Sequence, residues 1–217
     1  MPHPLSNNEF HQYAEAFTTP ESPALASLNR ETHLKVQLPV MLSGHLQGAF
    51  LTMVSQMIRP KNILEIGTYT GYSAICLAMG LEDGGKLHTI DINEELSDIN
   101  QKYWQQAGVA DRIVAHTGRA AEIIPGLEPA FDLVFIDADK QGYAHYYDLV
   151  FNKVPVGGFI LADNVFYDGE VMQPAAAQSK NAMALAAFNE KVKADNRVTQ
   201  TIVPLRDGIM LIRKDKD

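Results

Sequence analysis

The stretch Asn62-Ile-Leu-Glu-Ile-Gly67-Thr-Tyr-Thr-Gly71 runs from an apolar segment into a turn that contains glycine. A short apolar run bounded by turn residues is typical of a buried strand, and the residues from Tyr72 to Met79 are predicted to form a helix. Gly67 and Gly71 allow a tight turn and the close approach of a ligand. This stretch therefore predicts the first strand–turn–helix unit of an α/β fold, with a candidate binding site at its turn.

The same unit is repeated along the chain after this stretch. Four more strands are predicted, at residues 86–91 and 112–116 and in the two apolar runs that end at Asp137 and Asp163. Helices are predicted between and after them, at residues 94–107, 120–124, 143–151 and 176–194. Strands that alternate with helices indicate a parallel, doubly wound sheet with helices on both faces.

The carboxyl-terminal end differs from the repeating unit. Residues 197–204 and 209–213 are predicted strands, and Asp207-Gly208 between them is a dipeptide that favours a hairpin. The last strand should therefore run antiparallel to its neighbours. We expect a Rossmann-like sheet of seven strands with the last one antiparallel.

Helices are also predicted before the first strand. Ser6-Asn-Asn-Glu9 is a capping-box pattern, Ser22-Pro23 suits the start of a second helix, and apolar residues recur at helical spacing from Gly44 to Ile58. We expect residues 1–217 to form a single domain. It would consist of an N-terminal helical cap of residues 1–43 and a core of residues 44–217.

Composition excludes some classes of protein and disfavours others. The 217 residues include 26 acidic and 18 basic ones, a formal net charge of −8 that disfavours broad binding to nucleic acid. The lone Cys76 excludes an internal disulfide and fits a reducing compartment. The first residues lack the features of a signal peptide, and no apolar run approaches the ~20 residues of a membrane span. We expect a cytoplasmic protein without membrane contact.

Polar side chains follow two of the predicted strands. Asp137 ends one apolar run, and Asp163-Asn164 ends the next. The carboxyl ends of neighbouring parallel strands meet at the sheet edge where ligands bind. Two carboxylates and an amide oxygen are ligands that Mg²⁺ or Ca²⁺ prefers, and Lys140 lies close enough in sequence to accept a proton there. Helix capping by Asp163 is the alternative explanation.

The glycine turn predicts a nucleotide ligand. Tyr69 stands where the dinucleotide fingerprint requires glycine, which weakens an NAD-binding interpretation. Glu65 would suit a ligand that carries an amine or another cation. Asp91 ends the second strand, where acidic residues often bind a ribose diol. Together these residues favour a ligand that contains adenosine.

The sequence resembles the cation-dependent O-methyltransferases of the class I S-adenosylmethionine (SAM)-dependent family, which are related to catechol and caffeoyl-coenzyme A enzymes. The resemblance extends from about Met41 to Arg213. It rests on Glu65-Ile-Gly-Thr-Tyr-Thr-Gly-Tyr-Ser73, Asp91, Gly118-Arg-Ala120, Asp137-Ala-Asp-Lys140, Asp163-Asn164 and Asp207-Gly208.

The resemblance implies roles for individual residues. The implied cofactor site comprises Ser43, Glu65, Gly67, Thr68, Tyr69, Ser73, Asp91, Ala120 and Asp137. The implied ligands of a divalent metal, Mg²⁺ with Mn²⁺ or Ca²⁺ as substitutes, are Asp137, Asp163 and Asn164. Lys140 matches the general base and acts with Asp137 in catalysis. On the acceptor side we expect Met41, Asp139, Phe166, Tyr167 and Asp168.

Two positions depart from the plant-type pattern that the resemblance supplies. Gly142 and Asp168 stand where plant relatives usually carry asparagine. Both positions are expected near the acceptor, so the plant substrate is not implied. The resemblance also implies a homodimer.

These observations predict an enzyme that methylates one hydroxyl of a catechol-like, vicinal dihydroxy small molecule. Such a reaction needs the acceptor to be positioned and ionised, which a divalent metal can do. A hydroxylated base of transfer RNA is an alternative acceptor, although the acidic composition disfavours it. A non-catalytic or NAD-binding Rossmann protein is the alternative from a different class.

Overall fold

The computed structural model describes residues 7–217. Its strands are β1 (Asn62–Ile66), β2 (Lys86–Asp91), β3 (Ile113–Thr117), β4 (Leu133–Ile136), β5 (Phe159–Ala162), β6 (Val198–Val203) and β7 (Ile209–Lys214). Its α-helices are α1 (Asn7–Ala16), α2 (Pro23–Lys35), α3 (Gly44–Ile58), α4 (Tyr72–Ala78), α5 (Ser97–Gln106), α6 (Ala120–Ile123), α7 (Tyr143–Phe151) and α8 (Lys180–Ala194). The expected alternation of strands and helices is confirmed.

The seven strands form one mixed sheet in the order β3-β2-β1-β4-β5-β7-β6. Strands β1 to β5 pair in parallel, whereas β7 is antiparallel to both β5 and β6. This is the Rossmann-like class I methyltransferase arrangement, and the expectation of an antiparallel last strand is confirmed. The carboxyl ends of β1, β4 and β5 lie side by side at one edge.

Each face of the sheet packs against its own layer of helices. Alternate residues of a strand point to opposite faces, so Ile63 of β1 joins the core on the side of α2 to α5, whereas Leu64 joins the core on the side of α6 to α8. Cys76 is a free, fully buried residue of α4. The two cores hold the strand ends in fixed register.

Helix α8 begins later than the sequence predicted. Its first residue is Lys180 rather than residue 176, because Ser179 caps the helix and its Oγ accepts a hydrogen bond of 3.2 Å from Ala182 N. The alanines Ala175–Ala177 form a separate 3₁₀ turn after Pro174. High helix propensity in the alanine run caused the misplaced start.

The helices before β1 match their predicted positions. Ser22 is the N-cap of α2, and its Oγ accepts a hydrogen bond of 3.3 Å from Leu25 N. The predicted capping box includes Ser6, which lies outside the described residues. None of the helices in the described part has the length and apolar character needed to cross a membrane. The division into a cap of residues 1–43 and a core of residues 44–217 stays a prediction.

Candidate active site

A cavity of about 1470 Å³ opens at the carboxyl edge of the sheet. The turns after each of the strands β1 to β5 contribute to its wall, and so does the segment between α2 and α3. The predicted site residues that line it are Met41, Ser43, Gly67, Thr68, Tyr69, Ser73, Asp91, Ala120, Asp137, Asp139, Lys140, Asp163, Asn164, Tyr167 and Asp168. The structure therefore brings residues from both halves of the chain to one place.

The polar residues after β4 and β5 form one cluster with Lys140. Ile136 and Ala162 are paired in the sheet, so Asp137 and Asp163 follow them side by side. The Lys140 ammonium donates to Asp137 Oδ1 at 3.0 Å and to Asn164 Oδ1 at 2.6 Å. One cation thus contacts two of the three side chains that were predicted to bind a metal.

Asp163 is the most enclosed member of this cluster. Its Oδ1 accepts a hydrogen bond of 2.8 Å from Asn164 N, and its Oδ2 accepts one of 2.6 Å from the buried Gln47 side chain. Burial and the negative charge of Asp137 raise the pKa of Asp163 to about 7, although these hydrogen bonds act in the opposite direction. A nearby cation would favour the ionised carboxylate.

The donor set of this cluster fits a hard divalent cation. It combines two carboxylates with one amide oxygen, which suit Mg²⁺, Mn²⁺ or Ca²⁺ rather than Zn²⁺. Within residues 7–217 no group of three or more His, Cys, Asp and Glu side chains is arranged to hold a metal, so a site here depends on the Asn164 amide. Burial first and the charge of Asp137 second disfavour the ionised Asp163 carboxylate, and the charge of a divalent ion would offset both effects.

Asp91 holds the glycine turn from the neighbouring strand. Its Oδ2 accepts hydrogen bonds from Thr68 N at 3.0 Å and Tyr69 N at 2.8 Å, and its Oδ1 accepts one from Asn93 N at 2.8 Å. Each carboxylate oxygen has more than one lone pair, so a ligand hydroxyl could still bind. The strand-terminal acid therefore both shapes the turn and faces the cavity.

Gly67 lets β1 and β4 converge beneath the cavity. Its φ is +102°, and a Cβ atom placed on it would lie 1.9 Å from the backbone oxygen of Asp137. No side chain is compatible with that distance. The glycine therefore sets how closely the cofactor turn approaches the acidic cluster.

Glu65 is fully buried behind the cavity wall and does not line the cavity. Its Oε2 accepts a hydrogen bond of 2.6 Å from Thr89 Oγ1, whereas Oε1 has no well-formed partner among the residues the structure describes. The nearby Ser73 hydroxyl favours the charged carboxylate, yet burial dominates and raises the pKa of Glu65 to about 8. This orphaned oxygen fits a ligand that supplies a cationic donor.

The predicted acceptor residues are divided between the cavity and the core. Tyr167 lines the cavity, and its hydroxyl accepts a hydrogen bond of 2.8 Å from Asn181 Nδ2. Asp168 also lines it, and its backbone N donates to Asp207 Oδ1 at 2.7 Å. Phe166 instead packs against Gly208 in the hairpin and is absent from the cavity wall.

Gly142 has a structural reason for being glycine. A Cβ atom on Gly142 would lie 2.4 Å from Cε2 of Tyr146, whose hydroxyl donates a short hydrogen bond to Asp139 Oδ1. The missing side chain thus allows Tyr146 to reach a predicted acceptor-side acid. Tyr146 lines the cavity and was not among the predicted site residues.

Gln47 and Arg206 are two further site residues that the sequence did not reveal. Gln47 contacts Asp163 from α3, and Arg206 lines the cavity from the hairpin between β6 and β7. Gln47 lies among apolar residues at helical spacing, and Arg206 lies in a turn. Neither position carries a local signal of function.

The chain is similar to known O-methyltransferases over nearly its whole length. The sequence matches the O-methyltransferase family profile over residues 15–215. It is 34% identical over 221 residues to a protein of Eucalyptus gunnii named caffeoyl-CoA O-methyltransferase, covering 97% of this chain and 89% of that one.

Two solved structures have nearly the same fold. The SAH-bound methyltransferase PaMTH1 of Podospora anserina has a TM-score of 0.89 and 27% identity, with 100% of this chain and 99% of that chain covered. TomG of Streptomyces achromogenes, an O-methyltransferase involved in tomaymycin synthesis and solved with SAM, has a TM-score of 0.89 and 28% identity. The coverage is 97% of this chain and 100% of that chain.

Proposed function

Because the chain belongs to the O-methyltransferase family, we propose that it methylates one hydroxyl of a catechol-like, vicinal dihydroxy small molecule with the help of a divalent metal. It is a SAM-dependent O-methyltransferase, as the family and the neighbours with bound SAM or SAH indicate. The acceptor, the metal and the roles of individual residues are the proposed parts. The observation that carries the proposal is the cluster of Asp137, Asp163, Asn164 and Lys140 in the same cavity as the glycine turn.

We assign the cofactor to the side of the cavity formed by the turns after β1, β2 and β3. Asp91 would accept hydrogen bonds from the ribose, and Ala120 would lie beside the adenine. The methionine end would lie near Gly67 and Ser73, where the orphaned Glu65 oxygen favours a cationic amine. Thr68, Tyr69 and Ser43 complete this assigned site.

We assign the metal to Asp137, Asp163 and Asn164, with Mg²⁺ as first choice. When bound, the ion would hold both oxygens of a diol and favour the ionised hydroxyl. The Lys140 side chain, in its neutral amine form, would take the hydroxyl proton at Nζ and would become an ammonium within hydrogen-bond distance of Asp137 and Asn164.

The bond changes of the transfer are simple. The acceptor oxygen attacks the sulfonium methyl carbon in line, a C–O bond forms, the C–S bond breaks, and S-adenosylhomocysteine (SAH) leaves. Alignment of the three atoms can contribute ~7–11 kcal/mol in favourable cases. Met41, Asp139, Tyr167 and Asp168 would orient the acceptor from the other side of the cavity, and Phe166 would support Tyr167 from the core.

The proposal is tested with purified protein, SAM and a panel of catechols and matching monohydroxy phenols, read by mass spectrometry. We expect methylated catechol only, loss of product with a chelator and recovery with Mg²⁺. Asp137→Asn should lower turnover by about 100-fold at fixed Mg²⁺, because one metal ligand loses its charge. The exposed Asp98→Asn, which is outside the cavity, is the matched control.

Several results would contradict parts of the proposal. Turnover that is insensitive to the chelator would rule out a catalytic role for a metal. Equal turnover of monohydroxy phenols would show that the acceptor does not need two adjacent hydroxyls. Methylation of purified transfer RNA without methylation of any catechol would replace the small acceptor with a nucleic acid.

A further inference from the structure

The segment between α2 and α3, residues 36–43, forms a strap along the cavity. Leu38 has a left-handed backbone with φ +55°, and Pro39–Met41 form a 3₁₀ turn. At one end of the strap, the Tyr69 hydroxyl donates to Gln37 O at 2.9 Å and to Leu38 O at 3.3 Å. The glycine turn therefore holds the first half of the strap.

The Arg206 side chain holds the second half of the strap. Its guanidinium donates through Nη1 to Leu42 O at 2.9 Å and, over a short distance, to Ser43 O. Its Nη2 donates to Val40 O at 3.5 Å. A single side chain from the β6–β7 hairpin thus binds three carbonyl oxygens of the strap, the last of them at the residue that precedes α3.

The charge of Arg206 is directed at these neutral acceptors. Among the ion pairs formed by the described residues, none includes Arg206. Hydrogen bonds in which the donor is charged are stronger than neutral ones, and a planar guanidinium can satisfy several carbonyls at once. Arg206 is therefore suited to hold backbone in place.

Arg206 also determines which way the Gln47 amide faces. Nη1 donates to Gln47 Oε1 at 3.2 Å, and Gln47 Nε2 donates to Asp163 Oδ2 at 2.6 Å. A guanidinium can only donate and a carboxylate can only accept. The amide oxygen must then face Arg206, and the amide NH₂ must face Asp163.

We infer that Arg206 is a positioning residue that fastens the strap over the cofactor cavity and directs the Gln47 amide toward Asp163. The first part is independent of the metal and the acceptor. The second part rests on the proposed function, because it matters only if Asp163 belongs to the catalytic cluster.

The backbone of Arg206 allows a clean test. Its φ is +50°, a region where glycine is unstrained, so Arg206→Gly removes the guanidinium without distorting the hairpin. Arg59 has φ +53°, is exposed at the end of α3 and lies outside the cavity. Arg59→Gly is therefore a matched control for the effect of glycine at a left-handed position.

The readouts are SAH binding by calorimetry and chymotrypsin cleavage after Met41 and Leu42, followed by mass spectrometry. We expect Arg206→Gly to weaken SAH binding by about tenfold and to speed cleavage by a similar factor, with little change in Tm. Arg206→Lys should fall between wild type and Arg206→Gly, and it keeps the test decisive if the glycine variant does not fold. Arg59→Gly should match wild type in both readouts.

Wild-type SAH binding and cleavage rates in both Arg206 variants would overturn the role of Arg206 in fastening the strap. Neither readout uses turnover, so a wrong acceptor or metal would leave both unchanged. The Gln47 part is tested by a double-mutant cycle on kcat at saturating SAM with Arg206→Gly and Gln47→Leu. We expect strongly non-additive losses, and losses that simply multiply would overturn this part.

Discussion

The buried carboxyl of Glu65 is a residue whose protonation should affect both folding and cofactor binding. Burial raises its pKa in the folded protein to about 8 from an ordinary value near 4.5. Between these two values the unfolded chain loses the proton and the folded chain keeps it. Stability therefore falls as pH rises through this window, by up to about 1.4 kcal/mol per pH unit, and levels off above it.

A cationic cofactor beside Glu65 would favour the ionised carboxyl. Binding would then release a proton, so we expect wild-type affinity for SAM to rise between about pH 5.5 and 7.5, where the cofactor amine stays protonated. Glu65→Gln cannot ionise and should bind SAM at least tenfold more weakly at pH 7.5, with a flat pH dependence. Calorimetry across this range measures both effects.

Thermal unfolding without cofactor is the independent check on Glu65. Glu65→Gln should gain stability over wild type as pH rises from 5 to 8, because glutamine cannot ionise in the unfolded chain, and that ionisation is what lowers the stability of wild type over this range. Glu128→Gln, an exposed position away from the cavity, should follow wild type. A stability difference that does not change with pH would contradict the raised pKa.

Other features of the site at the residue scale could not be predicted from local sequence. Gln47 and Asp163 are 116 positions apart, and Arg206 and Gln47 are 159 apart. Their contacts depend on the packed tertiary structure, which no local pattern encodes. By contrast, Asp137 and Asp163 follow apolar strands directly, and that local signal was sufficient to place them at the sheet edge.

Left-handed backbone is concentrated at the cavity. Seven described non-glycine residues have positive φ, and six of them line the cavity: Leu38, Tyr69, Asn164, Tyr167, Asp168 and Arg206. Such conformations cost of order 1–3 kcal/mol each and persist where surrounding contacts fix them. The side chains that shape the site are therefore held by strained turns.

At the scale of elements, the junction between β1 and β4 depends on Gly67. We expect Gly67→Ala to destabilise the protein by about 3 kcal/mol or more and to abolish measurable SAH binding, because the added methyl would meet the Asp137 backbone. Chemical denaturation and calorimetry measure the two effects.

Gly84→Ala separates steric conflict from backbone strain. Gly84 has φ +76°, yet nothing lies within 4 Å of the position its Cβ would take. Gly84→Ala should lower the free energy of unfolding by only about 1 kcal/mol and leave SAH binding intact. Suppose that Gly67→Ala and Gly84→Ala lose equal stability. Backbone strain alone, rather than the close approach of β1 and β4, would then explain why position 67 needs glycine.

The boundaries of helices and strands were predictable where a residue at the boundary strongly favours one local conformation. Pro23 at the first position of α2 and Asp207-Gly208 in the hairpin gave correct boundaries. The alanines before α8 did not, because high helix propensity is a weak preference that the Ser179 cap overrides. Propensity predicts that a helix exists better than it predicts where the helix begins.

At the scale of the whole molecule, alternation predicted a parallel sheet but not its strand order. Periodicity reports which residues face a core, whereas the order β3-β2-β1-β4-β5-β7-β6 depends on contacts distant in sequence. The position of strap residues 36–43 over the carboxyl edge of the sheet likewise depends on contacts between residues that are distant in sequence. Residues from the two halves of the chain come together in one site only when the complete sheet has formed.

Helix α3 exposes large apolar side chains to solvent. Met53 is 58% exposed and Met57 is 77% exposed, and they lie one turn apart on the helix. Met79, after the neighbouring α4, is 51% exposed. Apolar side chains grouped in this way are typical of protein interfaces, so this face is where we expect the predicted homodimer to form.

Light scattering during size-exclusion chromatography tests this expectation. Wild type should have twice the 24.0 kDa mass of one chain, and Met57→Glu should shift it toward the monomer, because the interface would bury an unpaired charge. Val156→Glu, at a loop residue that is 54% exposed, is the control and should stay dimeric. A monomeric wild type at micromolar concentration would contradict the dimer. A dimeric Met57→Glu variant would show that the interface does not lie on α3.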